Sequence, residues 1–130
     1  MVALDCEMCL TKQGHQLARI SLIDENENIL LDDYCIPDSP IIDYLTQYSG
    51  ITKNTLSGVT NTISDLRKKF LDLVSSDTIV VGHSLENDFI ALRIFHYKVI
   101  DTSVLYPHNS GNFNFNFFYF IFYFLIFNFY

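Results

Sequence analysis

Asp5 and Glu7 sit one residue apart in Val2-Ala3-Leu4-Asp5-Cys6-Glu7-Met8-Cys9. Along a strand, side chains alternate between faces, so the two acids share one face and Cys6 takes the other. Their Cα atoms would lie about 6.6 Å apart. Two carboxylates at that distance repel by about 2.5 kcal/mol at an effective dielectric near 20. On an exposed face they would be ordinary surface acids. Here Ala3 and Leu4 lead directly into them, which argues for a central strand that ends at the acids. Such a site calls for a cation, and hard divalent ions such as Mg²⁺ suit carboxylate oxygens. A third acid, Asp88, stands one turn into an expected helix that follows a short β-branched strand, Thr78-Ile79-Val80-Val81-Gly82. If that strand lies beside the first, Asp88 converges on Asp5 and Glu7. Three convergent carboxylates suit a two-metal site, with ions about 3.5–4 Å apart, and hence phosphodiester hydrolysis.

The elements that position these acids follow from pattern. After the first strand, expected over Val2–Glu7, come a polar loop over Thr11–His15, a second strand over Leu17–Asp24 and a third over Ile29–Ile36. Short turns make these an antiparallel meander. The second strand alternates only loosely, as expected where both faces are partly covered. Residues 41–58 read as loop with one or two helical turns. Thr62-Ile63-Ser64-Asp65 is a capping-box-like start for a helix whose Ile63, Leu66, Phe70, Leu73 and Val74 share a face. Arg67, Lys68 and Lys69 fall mostly on its solvated side. Ser84 is placed to cap the next helix, with Leu85, Phe89 and Leu92 as its buried stripe. Val99–Thr102 reads as a last strand. The order β-β-β-α-β-α-β describes a mixed-sheet α/β domain.

Composition bounds the partners. The 130 residues make one domain at most. Fifteen acids against eight bases give a net charge of −7, unhelpful for holding nucleic acid by bulk electrostatics but compatible with an acidic site that binds metal. Cys6, Cys9 and Cys35 are too few for a disulfide framework and no signal peptide precedes them, so they read as reduced and intracellular. Cys6-x-x-Cys9 lacks the second pair that a zinc site needs, and Cys6 reads as core.

Residues 113–130 contain only Phe, Tyr, Asn, Ile and Leu. The uninterrupted apolar run from Phe117 to Phe127 is shorter than the roughly 20 residues of a membrane-spanning helix. Each of the five residue types can be encoded by A and T alone, so this tail reads as translated intron or out-of-frame sequence. The chain divides into a partial domain over 1–111 and a low-complexity tail over 112–130. Its start inside the first strand reads as an incomplete beginning.

Four blocks in order, Leu4–Cys9, Tyr48–Thr52, Gly82–Phe89 and Val99–His108, resemble the eukaryotic Rex-type RNA exonucleases. These are DEDDh 3′→5′ exonucleases with an RNase H-like fold, similar to RNase T; the plant small-RNA degraders look alike here. The resemblance implies two Mg²⁺ or Mn²⁺ ions and no small-molecule cofactor. Asp5 would bridge both ions, Glu7 would hold the one that activates water, and Asp88 would support the one at the leaving 3′ oxygen. Met8 and Cys9 would lie against the terminal nucleotide. The implied substrate is the single-stranded 3′ end of RNA, released as nucleoside 5′-monophosphates, and the implied location is the nucleus. A membrane partner is not expected.

The resemblance also implies a third motif, a general-base His followed five residues later by a metal-binding Asp, on a helix after the last strand. No Asp or Glu follows Asp101, and His108 has no acid after it. An exonuclease impaired as written is therefore expected. The alternatives are a non-catalytic nucleic-acid-binding relative and a variant tethered to a membrane through the tail. His83 precedes Asp88 by five residues and mimics the third motif, but its place at the end of a strand makes it a hydrogen-bonded structural histidine. His15 and His96 read as loop and helix-surface residues. Asp101 reads as satisfying backbone groups near a strand end.

Overall fold

The computed structural model describes residues 1–106. Pro107 onwards, including His108, the boundary near Gly111 and the Phe-rich tail, lies outside the described residues. The six described strands are β1 (Val2–Thr11), β2 (Gly14–Asp24), β3 (Ile29–Tyr34), β4 (Ile41–Asp43), β5 (Val80–Gly82) and β6 (Val99–Asp101). They form one mixed sheet in the order β3-β2-β1-β5-β6, with β4 also on β1. β1, β2 and β3 are the antiparallel meander, and β5 and β6 run parallel to β1. The helices are α1 (Thr46–Ser49), α2 (Ile63–Leu73), α3 (Leu85–Leu92) and α4 (Thr102–Leu105).

β1 does not end at the acids. It runs on to Thr11, and β2 starts earlier than its hydrophobic residues suggest because Lys12 and Gln13 alone turn the hairpin. The expected loop residue His15 therefore lies on β2, opposite Leu10. The register slips once: Glu7 faces Arg19 and Met8 faces Leu17, leaving Ala18 as an extra residue on β2. A single extra residue reverses the facing of every side chain beyond it. Leu17, Ile20 and Leu22 accordingly share one core with Val2, Leu4 and Cys6, although their spacing is not even. Ala18 joins Cys9, Ile51 and Leu56 in a second core on the other face. The loose alternation of β2 thus has two causes, a bulge and cover on both faces.

The first core is closed by α2 and α3. The capping box at the start of α2 forms, with the Asp65 N–H donating to Thr62 Oγ1 over 3.2 Å and the Thr62 N–H donating to Asp65 Oδ2 over 2.7 Å. Ile63, Leu66, Phe70 and Val74 are buried, but Leu73 is not; it is 43% exposed. It is the last residue of α2. Gly82 lets α3 approach β1: a Cβ there would stand 2.3 Å from Leu85 Cδ2 and 2.9 Å from the Leu4 carbonyl oxygen.

Candidate active site

β2 occupies one whole edge of β1. The other edge is shared. β5 pairs with its first residues, Val2 and Ala3, and β4 pairs with its last, Leu10 and Thr11. Between them the edge has no strand partner among the described residues, and Asp5 and Glu7 lie in that stretch. A crevice at the carboxyl end of parallel strands is where α/β sheets expose backbone and side chains to ligands.

Asp88 reaches the same gap from α3. Although only 6% exposed, it is anchored, with the Cys6 backbone N–H and thiol both donating to its carboxylate. The open edge of β1 thus supplies the donor that fixes the third acid beside the first two. The three are electrostatically coupled. Burial raises Asp5 to about 6, with Arg19 opposing. Burial and then Asp5 raise Glu7 to about 8, again against Arg19. Burial and then Asp5 raise Asp88 to about 7, against its hydrogen bonds. Raised pKa values on neighbouring carboxylates with little solvent around them are a mark of functional sites.

Among the described residues, no three His, Cys, Asp or Glu side chains already stand as a ligand set around one point. The donor chemistry nevertheless fits a hard divalent cation. Three carboxylates offer oxygen ligands, and each is held above its ordinary pKa by burial, Glu7 and Asp88 by the neighbouring Asp5 as well. The thiols do not join this set. Burial pushes Cys9 to about 11, Cys35 to about 12 and Cys6 well above the usual thiol range, so all three stay protonated.

A cleft of about 470 Å³ opens beside Glu7 and Met8. α1 contributes Tyr48 and Ser49, α3 contributes Asn87, Ile90 and Ala91, and Leu45 and His15 complete its wall. Tyr48 and Ile90 are largely exposed. Met8 thus lies where a ligand beside the acids would touch it. Cys9 does not. It is wholly buried in the second core, its Sγ 3.7 Å from the Tyr44 carbonyl oxygen, because the residue after Met8 points to the opposite face. The expectation that Cys9 contacts a nucleotide is corrected on that ground. Tyr48 and Ser49 belong to the Tyr48–Thr52 block, and no local pattern aims them at the acids; the pairing of β4 with the end of β1 brings α1 to the cleft.

Ser84 does not cap α3. Its backbone is left-handed (φ 56°) and its side chain makes no cap hydrogen bond. Asp101 does this instead, accepting from the N–H groups of Ser84 (3.0 Å) and Leu85 (2.8 Å). Asp101 also accepts from the Ser103 N–H at 2.9 Å and the Ser103 hydroxyl at 2.6 Å. The expectation that it serves backbone groups holds. His83, exposed just past β5, has its Nδ1 3.0 Å from Thr102 Oγ1, which in turn donates to the Gly82 carbonyl over 2.9 Å. It is a hydrogen-bonded structural residue, as its position implies. His96 lies after α3 rather than on a helix surface, with Nε2 2.7 Å from the Thr78 carbonyl oxygen.

Comparison with known proteins places this geometry. The exonuclease family, RNase T, matches residues 2–117. The human RNA exonuclease 1 homolog is 43% identical over 109 residues, 84% of this chain and 9% of that protein. Bovine RNA exonuclease 5 is 46% identical over 111 residues, 85% of this chain and 14% of that protein. RNA exonuclease 1 of Saccharomyces cerevisiae is 43% identical over 85% of this chain and 20% of that protein. The chain thus spans only 9 to 20% of the length of these relatives. Among solved structures, the Neurospora crassa Pan2 catalytic unit superposes with a TM-score of 0.73 at 29% identity, over 86% of this chain and 20% of that one. The Saccharomyces cerevisiae Pan2 pseudoubiquitin hydrolase–RNA exonuclease module in complex with AAGGAA RNA gives 0.75 at 25% identity, over 93% of this chain and 24% of that one. The mixed sheet is accordingly of the RNase H-like kind.

Proposed function

This chain belongs to the exonuclease family, and from that premise we propose that its three acids form a divalent-metal site for 3′→5′ hydrolysis of RNA. The observation that carries the proposal is the grouping of Asp5, Glu7 and Asp88 at the split edge of β1 beside a cleft, all three raised in pKa by burial and Glu7 and Asp88 by the charge of Asp5 as well. Two ions bound there would supply an activated water and stabilise the leaving 3′ oxygen. Asp5, whose charge acts on both of the others, would hold both ions; Glu7 would serve the water side and Asp88 the leaving-group side. Met8 and Tyr48 on the cleft wall would hold the terminal nucleotide between an apolar side chain and an exposed ring. Aromatic faces accept any base, and such stacking is worth about 1–3 kcal/mol per base. The net charge of −7 leaves phosphate recognition to the site rather than to the surface as a whole.

These 130 residues hold no Asp or Glu after Asp101, so a fourth acid with its general-base histidine is not among them at the expected place. A general base contributes about 10²–10⁴-fold, or roughly 3–5.5 kcal/mol. We therefore propose that this polypeptide alone binds Mg²⁺ and RNA 3′ ends but turns RNA over slowly. The test is a Mg²⁺-dependence assay on single-stranded RNA labelled at its 5′ end, with Asp5→Ala as control. Robust shortening from the 3′ end that Asp5→Ala abolishes would refute the impairment. RNA binding that Glu7→Ala leaves unchanged, with or without Mg²⁺, would favour a non-catalytic binding module instead.

A further inference from the structure

The strand register aligns two rows of side chains across the meander. Glu7 faces Arg19, and Arg19 faces Tyr34; Asp5 faces Ser21, and Ser21 faces Asp32. Residues directly opposite one another share a face, so Arg19 stands on the face that carries the two acids. Its guanidinium is clamped in two places, with Nε donating to Asp32 Oδ1 over 2.7 Å and Nη2 donating to Asp32 Oδ2 over 2.9 Å. Ser21 Oγ donates to the same Oδ1 over 3.2 Å, and the guanidinium carbon lies 5.4 Å from the centre of the Tyr34 ring. A bidentate clamp of this kind fixes the plane and position of the cation. The Arg19 side chain is only 14% exposed, so solvent screens it weakly.

We propose that Arg19 is the resident counter-cation of the Asp5–Glu7 edge: held in place by Asp32, it offsets part of the acid pair's repulsion in the metal-free protein and weakens divalent-cation binding there. The opposition of Arg19 to the raised pKa of both acids agrees with this. Asp32 has the complementary task of aiming the charge. An Arg19–Asp32 pair that merely ties β2 to β3 would have no such coupling to β1. The metal half of the inference rests on the function proposed above; the metal-free half does not.

The experiment uses the full chain at pH 9 and has two arms. In EDTA, melting temperatures are compared for wild type, Arg19→Gln, Glu7→Gln and the double variant. Arg19→Gln should melt lower, and the double variant should melt above the temperature that adding the two single shifts gives; strictly additive shifts would overturn the proposal. In the second arm, Mg²⁺ is titrated calorimetrically. Arg19→Gln, with a native circular dichroism spectrum, should bind roughly fivefold tighter, whereas Asp32→Asn, which releases the guanidinium toward the acids, should bind more weakly. Equal or weaker binding by Arg19→Gln would overturn the proposal. If Arg19→Gln does not fold, Asp32→Asn decides, and unchanged affinity there overturns it. Wild type that takes up no Mg²⁺ would refute the metal reading of the acids and leave the EDTA arm to judge Arg19.

Discussion

Asp101 and the group of Asp5, Glu7 and Asp88 are carboxylates at the same end of the same sheet, with opposite circumstances. Asp101 accepts four hydrogen bonds, from the backbone of Ser84, Leu85 and Ser103 and from the Ser103 hydroxyl. These hold its pKa below the ordinary carboxylate range although desolvation pulls the other way. Of the three acids, Asp88 is buried and Asp5 and Glu7 are half-buried, and all three pKa values are raised. Even Asp88, which has the Cys6 donors, stays near 7. A carboxylate supplied with donors completes a fold, whereas carboxylates short of them keep the raised pKa values that mark a functional site.

The largest test of this contrast is pH. The three acids have folded pKa values of about 6, 8 and 7, above the unfolded values near 4. The folded chain therefore keeps protons that the unfolded chain has released. The stability these groups contribute is full below about pH 4 and is lost as pH rises through their folded pKa values. Asp101 has the opposite sign: its contribution is present above about pH 4 and is lost as pH falls through its lowered pKa. The melting temperature in EDTA should accordingly fall between pH 5 and pH 9. Mg²⁺ should raise it more at pH 9 than at pH 5. A flat profile in EDTA would break the comparison.

Next in size is Asp101→Ala. It strips the first turn of α3 of its acceptor and frees the β6–α4 junction, and should cost about 2 kcal/mol by urea unfolding at pH 7. A loss below about 0.5 kcal/mol would show that water replaces the carboxylate without penalty. Glu7→Gln should act in the other direction. Relieving the repulsion with Asp5 while giving up the attraction of Arg19 should stabilise the metal-free protein by about 1 kcal/mol at pH 9, and Mg²⁺ binding should weaken in the same variant. Destabilisation by Glu7→Gln would mean that its charge serves the fold. The smallest effect is expected at Ser84→Ala. A helix-capping serine usually contributes about 1 kcal/mol, but Ser84 makes no cap hydrogen bond, so unfolding should shift by less than about 0.5 kcal/mol.

Much of this arrangement is written in short-range pattern. The period of two along Val2–Glu7 places Asp5 and Glu7 on one face, and the apolar residues before them place that face in a central strand. The capping box at Thr62 and Asp65 and the stripe of Ile63, Leu66 and Phe70 define α2. The offset of Asp88 from the buried Leu85 and Leu92 sets it at the border of α3 and the sheet. Each of these rests on residues within a turn or two of one another, where strand and helix geometry are the same in any fold.

The remainder depended on partners far away in the chain. β1 extends to Thr11 because β2 and β4 pair with it, and β4 is too short to declare itself by pattern. The bulge at Ala18 is a matter of register between strands, and it sends Leu17 and Ala18 to different cores. Cys9 is adjacent to a cleft residue in sequence yet wholly buried in space. The cap of α3 comes from Asp101 instead of the neighbouring Ser84, because β6 lies beside β5 and carries a carboxylate to the helix end. Sequence alone therefore determined which side chains could do chemistry and on which face of their own element they stand. The tertiary structure decided which of them meet, because hydrogen-bond donors, countercharges and burial are supplied by other elements.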